Sequence, residues 1–156
     1  IRPLRNGDTA TVAALFSRLS RRSREQRFGG AKPRLSELEL AHLARSDADH
    51  HVLVAYVDGD DQPAGIARLV REGPVAEVAC AVADVCQDRG IGTVLAGELT
   101  AVARAAGITK LRATVHDANP RSLSLLARCG RLLGTRWSAG EREIVVSLDP
   151  FPPLVP

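Results

Sequence analysis

Long apolar stretches are missing from this sequence. No segment approaches the roughly 18 to 20 consecutive apolar residues of a membrane span, and the first residues carry Arg2 and Arg5 with no apolar run behind them. The expectation is a soluble, unexported protein of the cytoplasm with no membrane partner. Cysteine is also sparse: Cys80, Cys86 and Cys129 are odd in number and lack the spacing of metal ligands. That excludes a disulfide framework, fits reduced thiols and leaves no expected metal. Aromatic residues make up 3% of the chain, and near the arginines of its first part only Phe28 supplies a ring. Without stacking platforms, nucleic acid is a disfavoured partner.

The 156 residues, 45% of them hydrophobic, suffice for one domain with a sizeable core. Charge is spread unevenly along them. Although the net charge is only +3, residues 1–34 hold nine Lys or Arg against Asp8 and Glu25, whereas residues 35–61 hold seven acids against Arg45. The arginine-rich start has two readings: a positive patch for a polyanion or phosphorylated cofactor, or a solvated helix face.

Hydrophobic periodicity predicts elements in the order β-α-α-β-β-β-α-β-α-β-β. Residues 1–4 read as a short strand, and Asp8 caps a helix whose buried stripe is Val12, Leu15, Phe16 and Leu19. After Gly29-Gly30, Ser36-Glu37-Leu38-Glu39 forms a capping box for a second helix. Residues 51–57 and 64–70 flank a polar loop as a hairpin, and residues 75–82 make the next strand. A helix from about residue 90 ends at Gly107. Residues 111–115 follow as a strand, Pro120 opens a helix that Gly130 closes, and residues 131–137 and 142–148 are the last strands. The domain therefore covers residues 1–149, and residues 150–156 are a proline-rich tail.

The richest segment chemically is Gln87-Asp88-Arg89-Gly90-Ile91-Gly92, between the strand at 75–82 and the helix after it. Glycines at 90 and 92 let the main chain approach a ligand, and a helix start presents unpaired N–H groups with a dipole that favours phosphate. A plain strand-to-helix turn is the competing reading of the same residues.

Element order and turn together resemble the GNAT superfamily of N-acetyltransferases over nearly the whole chain. Ile1-Arg2-Pro3-Leu4-Arg5-Asn6-Gly7-Asp8 resembles the family's first strand, residues 87–92 fit its Gln/Arg-x-x-Gly-x-Gly/Ala cofactor motif, and Asn119 follows the next strand where the family often has an asparagine. Residues 19–28 and 35–43, with Ala76-Glu77-Val78-Ala79, are similar to the acetyltransferase domains of bacterial protein lysine acetyltransferases.

The resemblance implies a single α/β domain with a mixed central sheet of about seven strands, flanked by about four helices and splayed between the fourth and fifth strands. It also implies acetyl-CoA, or another acyl-CoA, bound in that cleft. Main-chain groups of Gln87, Asp88, Arg89, Gly90, Ile91, Gly92 and Thr93 would hold the pyrophosphate. Those of Ala81 and Val82 would pair with the pantetheine arm as an added strand, and the Asn119 amide would meet it from the other wall. Before a proline, Asn119 is equally a turn residue. The implied reaction is direct transfer of an acetyl group to a primary amine, on a protein lysine or a small molecule. A non-catalytic acyl-CoA-binding sensor or regulatory domain is the alternative, and a homodimer is one assembly open to either.

An amine with a pKa near 10.4 must lose a proton before it attacks. Glu77 is the candidate general base, as the lone acid in an apolar strand, on one face with Val75, Ala79 and Ala81 and opposite Ala76, Val78, Cys80 and Val82. The glutamate at the matching position serves as base in the lysine acetyltransferases that this segment resembles. Partial burial would raise its pKa toward a useful range; an ion pair with an arginine such as Arg68 is the other reading. Many family members carry a tyrosine near the end of the last helix to protonate the departing thiolate. Here Leu126 stands at that position and Tyr56 is the only tyrosine, so no acid is assigned. The frequent Gly-Phe after that helix is Gly130-Arg131. Cys80 reads as a core thiol before an acyl carrier, and His116 as a lesser candidate for proton transfer. The cluster from Arg21 to Arg27 guides the acceptor, touches the 3′-phosphate of CoA, or is a solvated helix end.

Overall fold

Polar caps, more than apolar stripes, decide where the first helices begin and end. Strand β1 (Arg2–Pro3) leads to α1 (Thr9–Ser17), whose N-cap Asp8 accepts hydrogen bonds from the Thr11 N–H at 3.1 Å and the Thr11 hydroxyl at 2.7 Å. Those bonds hold the Asp8 carboxyl below the usual carboxylate range. The chain then breaks and restarts as α2 (Arg21–Phe28), with Ser20 at the N-cap and Gly29 at the C-cap in the left-handed region, φ 82°. Periodicity did not mark α2, because Arg-Arg-Ser-Arg-Glu-Gln-Arg-Phe has no apolar stripe and buries no residue fully. Tertiary polar contacts hold it instead. Asp84 accepts from the Ser20 N–H at 2.7 Å and the Ser23 hydroxyl at 3.1 Å, and Arg24 stacks 4.1 Å over the Phe16 ring. The expected capping box of Ser36 and Glu39 then opens α3 (Glu37–Leu43).

In this computed structural model the described residues are 1–116 and 119–149. The proline-rich tail 150–156 and Asp117 and Ala118 of the turn before Asn119 lie outside them. Among the described residues the remaining strands and α-helices are β2 (His50–Ala55), β3 (Gly65–Glu72), β4 (Val75–Val82), α4 (Ile91–Ala105), β5 (Lys110–His116), α5 (Pro120–Cys129), β6 (Arg131–Ser138) and β7 (Glu141–Ser147), with a short 3-10 turn at Asp84–Cys86. No helix among them is long and apolar enough to cross a membrane.

The seven strands form one mixed sheet in the order β1-β2-β3-β4-β5-β7-β6. Only β4 and β5 run parallel, and they pair only where Val75–Glu77 meets Lys110–Arg112. From Val78 onward β4 stays with β3 while β5 stays with β7, so the sheet forks where the resemblance implied.

Helix α4 covers one face, burying Leu95 and Leu99 with Leu69, Leu111 and Ile144, while Leu4, Val12, Val52 and Val54 pack together as a separate cluster. The fit of α4 on β3 is close: a Cβ on Gly65 would lie 2.9 Å from Leu95 Cδ1 and 3.2 Å from the Ala81 oxygen. Gly97, within α4, has nothing within 4 Å of where its Cβ would be. Gly97→Ala is therefore expected to raise stability by up to about 1 kcal/mol, read as a higher denaturant midpoint at constant m-value.

Candidate functional site

A cavity of about 760 Å³ fills the fork between β4 and β5, walled also by α2, α4 and α5. Its volume suits a cofactor-sized molecule. Glu77 and the glycine turn both line it; Glu77 precedes Val82 by five residues, about 16 Å along an extended strand.

The turn is built for main-chain recognition. Asp88 and Gly90 take left-handed conformations, φ 60° and 81°, and Gly90 is the N-cap of α4 with no side-chain cap. The first bond of the helix runs from the Val94 N–H to the Gly90 oxygen at 3.1 Å. The N–H groups of Ile91, Gly92 and Thr93 therefore have no partner within the helix and point out of its positive end. Arg121, in the first turn of α5, donates to Gln87 Oε1 and Asp88 Oδ2, each at 3.1 Å, and sets a cation beside the turn. Nothing in its sequence neighbourhood marked Arg121; only the approach of α5 to the turn does. Gln87 also donates from Nε2 to the Val82 oxygen at 3.1 Å and to Ser23 Oγ at 3.3 Å, tying α2 and β4 together.

Register decides which main-chain groups face the fork. The Ala83 N–H bonds the Ala64 oxygen at 2.8 Å, and the antiparallel register continues through Ile66 with Ala81 and Arg68 with Ala79. Alternation then turns the N–H and C=O of Ala81 toward β3 and those of Val78, Cys80 and Val82 into the fork. Of the two residues expected to offer such groups, Val82 faces the fork and Ala81 does not; Cys80 takes its place. Asn119 lines the cavity, and its side-chain oxygen caps α5 by accepting from the Ser122 N–H at 3.3 Å. That is the turn role that its place before Pro120 suggested.

Glu77 lines the cavity with its side chain 54% exposed, so its burial is only partial. Strand β4 gives up its β5 neighbour just past Glu77, which opens that face to solvent. Its ionic partner is Arg112 of β5, at 3.6 Å, rather than Arg68; Arg112 also holds Glu72 at 3.1 Å. Leu126, at the position where a tyrosine was sought, is 8% exposed and part of the main core. Tyr56 lies elsewhere, stacked under Arg2 at 4.4 Å. Cys80 lines the cavity, and burial pushes its thiol up to about 11, which keeps it protonated and inert. His116 Nε2 lies 3.5 Å from Glu141 Oε1, against the C-terminal end of α2, where a Cβ on Gly29 would meet both side chains.

The arginine-rich start is largely used within the fold. Arg18 bonds Asp60 Oδ2 and the Pro63 oxygen, each at 3.0 Å. Arg21 pairs with Glu25 at 2.9 Å, and Arg24 donates to the oxygens of Phe16 and Pro33.

Residues 16–130 match the model of the acetyltransferase (GNAT) family. Acetyltransferase Pat of Mycolicibacterium smegmatis is 31% identical over 99% of this chain and 46% of its own length, so the chain spans about half of that relative. Among solved structures, the GNAT domain of S. lividans PAT superposes with a TM-score of 0.82 at 26% identity, over 94% of this chain and 89% of that one. A cAMP-binding acyltransferase from Mycobacterium smegmatis superposes with a TM-score of 0.62 at 29% identity, over 96% of this chain and 43% of that one. With a family match across most of its length and the forked sheet and glycine turn in place, this chain belongs to the GNAT family of acetyltransferases.

Proposed function

We propose that this domain transfers an acetyl group from acetyl-CoA to a primary amine, a class that includes the lysine side chain of a protein, by direct attack within a ternary complex. The carrying observation is the uncapped, glycine-bearing start of α4 opening into a forked sheet whose β4 edge has no β5 neighbour beyond Glu77. On this reading the N–H groups of residues 91–93 hold the pyrophosphate, with Gln87, Asp88, Arg89 and Gly90 shaping the turn and Arg121 adding charge. Cys80 and Val82 pair with the pantetheine arm in the manner of an added strand, and the Asn119 amide closes the other wall.

Acetyl-CoA supplies an activated carbonyl with a thiolate leaving group. Glu77, acting through water, takes the proton lost by the amine as the new C–N bond forms. The C–S bond breaks, and solvent protonates the thiolate, since Leu126 offers no acid. That same buried leucine favours the second reading, an acyl-CoA sensor without turnover. Thiol release from acetyl-CoA with lysine-bearing proteins, polyamines, amino acids and aminoglycosides separates them. Release that depends on the amine supports transfer, and tight binding with uniform silence supports the sensor.

A Cβ on Gly92 would point between Val82 Cγ2 at 3.7 Å and Leu125 Cδ2 at 3.9 Å, ordinary contact distances at the cavity wall. Gly92→Val is accordingly expected to keep the fold but intrude on the pyrophosphate and the adjoining arm, weakening acetyl-CoA by roughly tenfold or more in a calorimetric titration. An unchanged affinity would remove the pyrophosphate from this turn.

A further inference from the structure

One wall of the cavity carries a half-buried cation that pairs with no carboxylate among the described residues. This is Arg27 of α2, with its guanidinium 4.9 Å from the centroid of the Phe28 ring. Its neighbours Arg18 and Arg21 have carboxylate partners, and Arg24 reaches main-chain oxygens, whereas no carboxylate among the described residues lies within ion-pair distance of Arg27. Glu77 is near enough for its charge to act on Arg27, but its ion pair is with Arg112. Burial pushes the Arg27 pKa down, the charge of Arg68 adds to this, and Cys80 and Glu77 oppose it. A guanidinium nonetheless stays charged in proteins, and among the described residues it is the Phe28 ring, not a carboxylate, that faces this one.

Resting on the acetyl-transfer reading above, we propose that the acceptor is a small amino acid, whose carboxylate Arg27 receives while its amine faces the Glu77 side of the cavity. The planar fork of an arginine matches a carboxylate through two parallel N–H···O bonds. Arg27 is then a specificity residue: it orients the acceptor and takes no part in bond making.

The test compares thiol release, at saturating acetyl-CoA, for amino acids and the amines left by their decarboxylation, such as lysine with cadaverine and leucine with isoamylamine. Rates are corrected for the neutral amine fraction. For wild type, kcat/KM should favour the amino acid by roughly 10- to 100-fold, mostly through KM. In Arg27→Gln that preference should collapse through a raised KM, and Arg27→Lys should restore part of it; retained acetyl-CoA affinity shows that both variants are folded.

A preference that survives in Arg27→Gln overturns the proposal. So does equal turnover of both members of each pair, or faster acetylation of lysine-bearing proteins; either result leaves the acetyltransferase reading standing. Silence with every amine sinks both. An Arg27→Gln loss of affinity for acetyl-CoA that disappears with its 3′-dephospho form would assign Arg27 to the cofactor and overturn the proposal.

Discussion

Glu77→Gln is expected to lower kcat/KM for amine acetylation by roughly 100- to 10,000-fold, the range for removal of a general base, with little change in acetyl-CoA affinity. The substitution keeps the size and hydrogen-bonding outline of the side chain and removes its capacity to accept a proton. The position favours a solvent-linked base: Glu77 stands at the last β4 residue paired with β5, lines the cavity, and leaves half of its side chain in water. A proton taken there passes readily to bulk solvent. Loss of the 3.6 Å ion pair with Arg112 adds little to stability, because exposed pairs contribute about 0 to 1 kcal/mol. Steady-state rates and a titration of acetyl-CoA on the same preparation check both halves. A loss confined to KM for the amine would mark Glu77 as an acceptor contact instead of a base.

The largest effect on folding is expected at Gly130. A Cβ built there would overlap the carbonyl oxygen of Ser147 and come within 3.0 Å of its carbonyl carbon. Its φ of −175° is extended and open to any residue, so the requirement is steric and not conformational. The obstacle is the backbone of β7, in the centre of the β5-β7-β6 half of the sheet, which cannot swing aside as the tip of a side chain can. Gly130→Ala should cost about 3 kcal/mol, near the upper end for overpacking. For a chain of this size that is a fall of about 6 to 12 °C in Tm. Gly97→Ala, with open space around it, is the internal control and should move stability the other way.

What could be read in the sequence follows from which forces leave a periodic trace. The capping box at Ser36, the Pro120 start of α5 and the apolar runs of β2 to β4 were all legible, because caps and burial act at fixed spacing. Helix α2 was not, since its stability comes from Asp84 and Arg24 contacts that close only in three dimensions. The glycine turn was legible in residue types, yet the cation that Arg121 sets beside it comes from a distant helix. Alternation assigned Glu77 to a face of β4, but its exposure depended on where β5 departs, which is a property of the sheet and not of the strand. The shift from Ala81 to Cys80 has the same origin: side-chain alternation was visible in the strand, whereas the direction of main-chain groups awaited the register with β3.

Initial rates of CoA release, measured while acetyl-CoA and an accepted amine are varied together, test the central claim most directly. Direct transfer in a ternary complex gives double-reciprocal lines that intersect, with saturation in both substrates. Parallel lines would instead show an acyl-enzyme intermediate and contradict the assignment of Cys80 as an inert thiol, and amine-independent release or none at all would contradict acetyl transfer itself.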